Sequence, residues 1–319
     1  MIVERIEPRT VQAAIALATR APSVHNTQPW KWRIGPRSVH LYADRDRWLQ
    51  ATDPEGRDLV MSCGAVLHHL RVALAAAGLR ATVHRLPNPA EPDHLAAVEL
   101  TPGTAADADY GLVAALERRH TDRRPFASWP VPDAVLAELV GVAAEQGAVL
   151  RPVTEAAGRS RLLAAITEAE RIQRESTAYR TELALWSGRR AGPDGVPAAA
   201  ADDAAAGVRR FDGATGGGGS DGAALLVLGT ASDDLLSWLR AGEATSAVLL
   251  QATIAGLASS PLSQPLEVGG TRMVLRDDVL GGTLSPQMVL RVGWPSGTAG
   301  GTRRTPRRPV EETIDAGDG

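Results

Sequence analysis

Apolar positions along this chain recur in two rhythms, one near 3.6 residues and one of two. From residue 10, Val11, Ala14, Ile15 and Ala18 fall on one face of a helix that Thr10 can cap and Pro22 stops. A polar loop at 23–28 follows. Trp30, Trp32 and Ile34 then alternate with polar residues, Gly35 and Pro36 mark a turn, and Val39, Leu41 and Ala43 alternate again, which predicts two short strands. Residues 58–78 predict a long, largely buried helix closed by a glycine. Strands at 81–86 and 95–100 and a helix at 110–119 complete a first half.

The second half repeats the plan, with a helix at 132–146 ended by Gly147, a strand at 148–153 and a long helical stretch at 155–186. Residues 187–222 are dominated by Gly, Ala, Pro and Asp and cannot bury enough apolar surface to fix themselves, which predicts a flexible flap. A buried strand at 223–228, a helix started by Asp233 and running to about Leu257, and a last strand at 288–292 follow. Gly64 precedes Gly78 and Leu79 by the interval at which Gly242 precedes Gly256 and Leu257, so duplication is the economical explanation. Hairpins in place of regular strand–helix alternation predict an α+β fold whose halves, 1–115 and 116–319, pack like a dimer. No Gly-x-Gly-x-x-Gly follows a strand, which disfavours a doubly wound dinucleotide fold.

The length of 319 residues suits two domains at roughly 150 residues each. With 44% apolar and 22% charged residues the composition is that of a globular protein. The first residues lack a basic stretch followed by an apolar core, and no unbroken apolar run reaches the roughly 18 residues that span a bilayer, so neither a signal peptide nor a membrane segment is expected. The single cysteine, Cys63, rules out an internal disulfide and fits a reducing cytoplasm. A net charge of −3 gives no global field for nucleic acid. Basic residues are nonetheless clumped at 118–124 and 303–308, which a local anion would explain.

Three segments carry candidate chemistry. The loop with Pro22, Ser23, Val24, His25, Asn26 and Gln28 offers amides to a polar ring edge, while Trp30 and Trp32 supply rigid apolar area; by composition alone an ordinary turn is the better reading. The run at 117–126 holds Arg118, Arg119, Arg123 and Arg124 with His120 and Thr121 at a helix exit, and guanidinium forks match phosphate oxygens; a solvated charge run has the same composition. Arg307 and Arg308 belong to a second basic segment near the C-terminus, which could close on the same anion or form a basic tail. The histidines form no helical pair with a carboxylate, so no metal site is expected. His68 and His69 read as ordinary helix residues.

Together these segments resemble the flavin-dependent nitroreductase family, in which a Pro-Ser-Ser-x-Asn-x-Gln-Pro-Trp loop, an Arg-x-Ser/Thr-x-Lys/Arg stretch and a basic C-terminal segment recur. Pro22, Ser23, Asn26, Gln28, Pro29 and Trp30 match the first, Arg119, His120, Thr121 and Arg123 the second, and Arg307 and Arg308 the third. The chain is more closely similar to the tandem-domain, dormancy-associated actinobacterial (Acg-like) subgroup, which Ser62, Cys63 and Gly64 and the segment from Ser260 to Gln264 also fit. The resemblance implies the nitroreductase fold and FMN as cofactor. It implies that Arg119, Arg307 and Arg308 hold the phosphate and Arg123 the pyrimidine edge. Ser23, Asn26 and Gln28 would meet the ring or ribityl chain, with a turn at 260–264 bordering the ring.

In homodimeric members the loop and the basic stretch come from different subunits. Here the first half has only Glu4, Arg5, Arg9 and Thr10 where a basic stretch belongs, and the second has 146–153 where a loop belongs, so one complete site and one FMN per chain are expected. The implied activity passes electrons from NAD(P)H through FMN to a nitro or quinone-like acceptor, with no protein acid–base pair and no catalytic side chain. A flap that stayed shut would instead make a non-catalytic, flavin-sequestering protein. No nucleic-acid partner and no membrane are expected, and a monomer whose halves supply the dimer-like interface is.

Overall fold

The computed structural model describes residues 6–186, 193–195, 221–296 and 305–315. Helix α1 (Pro8–Ala18) starts earlier than Thr10 because Pro8, with its fixed φ and missing N–H, suits the first helical position, with Glu7 before it. β1 (Trp30–Ile34) and β2 (Ser38–Ala43) form the expected hairpin, with Trp30 opposite Ala43 and Trp32 opposite Leu41. β3 (Leu79–Arg85) and β4 (His94–Pro102) complete an antiparallel sheet in the order β1-β2-β4-β3. A second antiparallel sheet holds β5 (Val149–Pro152), β6 (Ala224–Thr230), β7 (Ala258–Leu262) and β8 (Ser285–Gly293) in the order β5-β6-β8-β7. The two sheets thus share one order, and the chain is α+β.

Two helices of equal length pack on each other, α2 (Arg57–Ala76) and α7 (Leu235–Ile254). Their backbones meet at the two glycines singled out by the sequence. A Cβ on Gly64 would stand 2.0 Å from the Leu239 carbonyl oxygen, and one on Gly242 2.0 Å from that of Met61. No other residue fits so close an approach. Both helices are followed by a left-handed glycine, Gly78 at φ +73° and Gly256 at φ +78°, from which the chain turns into an extended segment. By length and mean hydropathy α2 could cross a membrane, but all of it except Arg71, Ala75 and Ala76 is buried within the protein. α3 (Asp107–Arg118) packs its Ala115 and Leu116 against Val72 of α2 and Leu250 of α7.

Several boundaries differ from those expected. The helical stretch at 155–186 is two helices, α5 (Ala156–Glu175) and α6 (Thr177–Trp186), because Ser176 leaves the helical region and its hydroxyl accepts the Tyr179 N–H. α4 (Asp133–Glu145) agrees with its expectation within a residue. α7 is capped by Asp234, which accepts from the Ser237 N–H at 2.8 Å, while Asp233 binds Trp238 Nε1 and Arg272 instead. Short helices at Gln264–Glu267 and Gly269–Val274 were not anticipated. Of the expected flap at 187–222, only Pro193, Asp194, Gly195, Asp221 and Gly222 fall among the described residues; the rest lies outside them.

Candidate functional site

The loop at 22–28 leaves α1 and returns to β1 through a tight turn at Val24–Asn26. Gln28 N–H donates to Ser23 Oγ at 3.0 Å, and Val24 N–H to Ser62 Oγ on α2 at 3.2 Å. His25, Asn26 and Gln28 all have positive φ, at 45°, 55° and 51°. Non-glycine residues hold that conformation at about 1–3 kcal/mol each only where the surroundings fix them, a pattern typical of binding sites. Here the amides fix it. Asn26 Nδ2 donates to the carbonyls of Gly195 (3.0 Å) and Pro306 (3.2 Å), and Gln28 Nε2 donates to that of Pro193 (3.0 Å). Gln28 Oε1 accepts the Arg308 N–H at 2.9 Å. The segment 193–195 is itself tied down by Asp194, which pairs with Arg47 at 2.9 Å. Trp30 and Trp32 do not line the loop's surface: both are fully buried in the first core.

A cluster of cations lies beside this loop. α3 ends at Arg118, and Arg119 turns inward, buried, with Nη2 donating to the Arg20 carbonyl at 3.2 Å. Arg307 Nε donates to the Thr19 carbonyl (2.9 Å) and its Nη2 to those of Arg20 (3.1 Å) and Ala21 (3.3 Å). Arg20 Nη2 reaches the Glu117 carbonyl at 3.2 Å. Among the described residues none of these three arginines has a carboxylate partner. Arg119 Nε and Nη1 and Arg20 Nε are buried donors with no acceptor among the described residues.

The electrostatic consequence is direct. Burial, and then the charge of Arg20, pull Arg119 down to about 10; burial, then Arg119 and Arg20, pull Arg307 down to about 9. Like charges crowded out of water disfavour one another unless an anion joins them. The spare N–H groups of Arg20 and Arg119, with the Arg307 charge beside them, suit a phosphate.

Not every expected residue joins this cluster. Arg308 turns the other way, donating from Nη1 to the Gln28 carbonyl (3.2 Å) and lying 3.6 Å from Asp44. Arg118 and His120 are exposed, with His120 Nδ1 3.1 Å from the Arg118 carbonyl, and Arg123 is exposed. Thr121 bridges to Ser259, whose carbonyl accepts the Asp122 N–H at 2.9 Å, so the basic stretch is laid along β7. Ser260 is on an edge strand and not in a turn; it is buried and its Oγ has no partner among the described residues. Gln264 donates to Gln173 Oε1 on α5 at 2.8 Å, within another part of the core.

Arg20 was passed over in the sequence, although it stands alone as a cation between α1 and Pro22. Cys63 is buried, its thiol pushed up by burial, and donates to the Pro29 carbonyl. No group of three His, Cys, Asp or Glu that could hold a metal occurs among the described residues.

No protein-family model matches the chain. It is 43% identical to "Putative NAD(P)H nitroreductase Rv3131" of Mycobacterium tuberculosis, over 97% of this chain and 92% of that one. It is 37% identical to "Putative NAD(P)H nitroreductase acg" of the same species, over 95% of each. A solved structure similar to it is the FMN-dependent nitroreductase NfnB from Mycobacterium smegmatis in complex with NADPH, with 18% identity and a TM-score of 0.45, covering 66% of this chain and 99% of that one.

Proposed function

The chain belongs to the nitroreductase family, and we propose that it binds one FMN between the loop at 22–28 and the guanidiniums of Arg20, Arg119 and Arg307. It then serves as an oxidoreductase passing electrons from NAD(P)H to a nitro or quinone-like acceptor. The observation that carries this reading is a trio of cations with no carboxylate partner among the described residues, two of which, Arg20 and Arg119, keep buried N–H groups unfilled there. A phosphate dianion would offset their charge and accept those donors, so the residues present fit the phosphate end of FMN. Arg308 is reassigned from the phosphate to holding Gln28, whose carbonyl and side chain it engages.

The loop supplies the other end. Asn26 and Gln28 present amides able to meet a polar ring edge once they exchange their present carbonyl partners. His120, Thr121 and Arg123 follow Arg119 on the same stretch, and an exposed guanidinium at Arg123 would stabilise negative charge at the pyrimidine edge. FMN bound there would take a hydride from nicotinamide and hand electrons on, chemistry that belongs to the cofactor. No side chain is assigned an acid–base role.

The shared strand order and the paired glycines support reading 1–115 and 116–319 as two halves that pack as partners within one chain. That arrangement favours a monomer, and the single buried cysteine favours the cytoplasm. Flavin sequestration is the second reading. It is favoured by the carbonyls of Pro193 and Gly195, which take the amides a flavin would need.

Reconstitution with FMN, removal of oxygen and addition of NADH or NADPH separates the two. Rapid loss of the yellow absorbance, restored by a nitro compound or quinone, is expected of the oxidoreductase. FMN that binds but stays oxidised supports sequestration, and failure to bind FMN sinks both.

A further inference from the structure

Two buried histidines lie side by side on α2 where it meets α7. His68 Nδ1 is 2.8 Å and His69 Nδ1 2.7 Å from the same atom, Ser246 Oγ. A hydroxyl carries one proton, so it donates to only one of these rings, and the other must donate its own Nδ1–H to the oxygen. When Ser246 donates to His69, the remaining proton of a neutral His69 must sit on Nε2. That Nε2 is buried and has no partner among the described residues.

The fold brings the end of α3, and with it Arg119, next to this stretch of α2. One turn beyond His69, Val72 packs with Ala115 and Leu116 of α3 and with Leu250 of α7, which follows Ser246 by one turn. Arg119 comes three residues after Leu116 and is anchored to Ala115 by its own N–H. Burial first, and then the charges of Arg119, His68 and Arg307, hold His69 well below the usual imidazole range. Burial and Arg71 hold His68 down at about 3. Both rings are therefore neutral. A neutral ring adds no fourth positive charge to a crowded site, yet still offers an N–H.

We infer that His69 Nε2–H is a further donor to the phosphate held by Arg20, Arg119 and Arg307, with Ser246 and His68 as positioning residues that select the tautomer. The inference rests on the FMN reading above and adds to it a contact from the central helix α2. With no anion at Nε2, His69 can instead carry its proton on Nδ1 and donate it to Ser246 Oγ. Anion binding then shifts the proton pattern through Ser246: His69 comes to carry its proton on Nε2, and His68 donates from Nδ1 to the hydroxyl.

The test compares the affinities of the apo protein for FMN and for riboflavin, which lacks the phosphate, by flavin fluorescence. The wild type is expected to prefer FMN. His69→Leu should lose about ten-fold of that preference, the worth of one hydrogen bond to a charged group, with riboflavin affinity unchanged. His69→Gln, which can return an N–H toward the position of Nε2, should restore most of it, and Ser246→Ala should lose a smaller part.

Nitrogen NMR of labelled histidines gives a readout independent of any variant's folding, in which FMN should move the His69 proton from Nδ1 to Nε2. A full FMN preference in a folded His69→Leu protein, or histidine shifts that FMN leaves unchanged, overturns the inference while FMN binding stands. A wild type that binds FMN and riboflavin alike overturns the phosphate reading and this inference together.

Discussion

The amides of Asn26 and Gln28 have their hydrogen bonds made, whereas the guanidiniums of Arg20 and Arg119 beside the loop have donors to spare among the described residues. The first region is a satisfied network that a ligand must open; the second is an unbalanced charge that a ligand would complete. Affinity for a phosphorylated flavin should therefore come mainly from the cation end, and access should be governed by the amide end. The same contrast means that equivalent deletions in the two regions should move the stability of the apo protein in opposite directions.

Arg119→Met gives the largest effect. It should weaken FMN binding by about a hundred-fold, the scale of charge-assisted contacts to phosphate. It should leave the apo protein as stable as the wild type or stabilise it by about 1–2 kcal/mol, since an uncompensated buried cation is removed. Calorimetric melting and FMN titration of one preparation check both halves, and a clear loss of apo stability would break the comparison.

Gln28→Ala should reverse the pattern. The Pro193 carbonyl and the Arg308 N–H lose their partner, so the apo protein should lose about 1–3 kcal/mol in denaturant unfolding, while FMN affinity falls by only about ten-fold. Asp194→Ala removes the ion pair that ties 193–195 to Arg47. Stopped-flow mixing should then show FMN associating about two- to five-fold faster, the scale of a single partly exposed ion pair.

The smallest effect is on pH dependence. Arg307 and Arg119 lie at about 9 and about 10 when folded, below the value of the unfolded chain, so the folded state sheds these protons first. Their destabilisation is complete below the lower value and is relieved as pH rises through both, so apo stability should gain from this source in alkaline solution. The gain should shrink in Arg307→Met, and also with FMN bound. A melting series from neutral pH to about 10 measures it.

Much of the local architecture was legible in the chain. The hairpin of β1 and β2 follows from strict alternation, and the closely approaching helices from a glycine repeated at one interval. The loop at 22–28 was legible because its chemistry is contained in consecutive residues. The cation cluster was only half legible. Arg307 reaches Thr19 across 288 positions, a pairing set by tertiary packing, and that packing also recruits Arg20 and turns Arg308 away. The turn that the resemblance implies at 260–264 falls instead on the end of β7, where Pro261 is tolerated because β7 is an edge strand. His69 was unremarkable in sequence, since only the crossing with α7 brings Ser246 against it.

The central claim is one phosphate-anchored flavin site per chain, and titration calorimetry of the apo protein with FMN tests it most directly. One FMN per chain, displaced by added inorganic pyrophosphate, is the result the account predicts. Two FMN per chain, or binding that pyrophosphate leaves untouched, would contradict it.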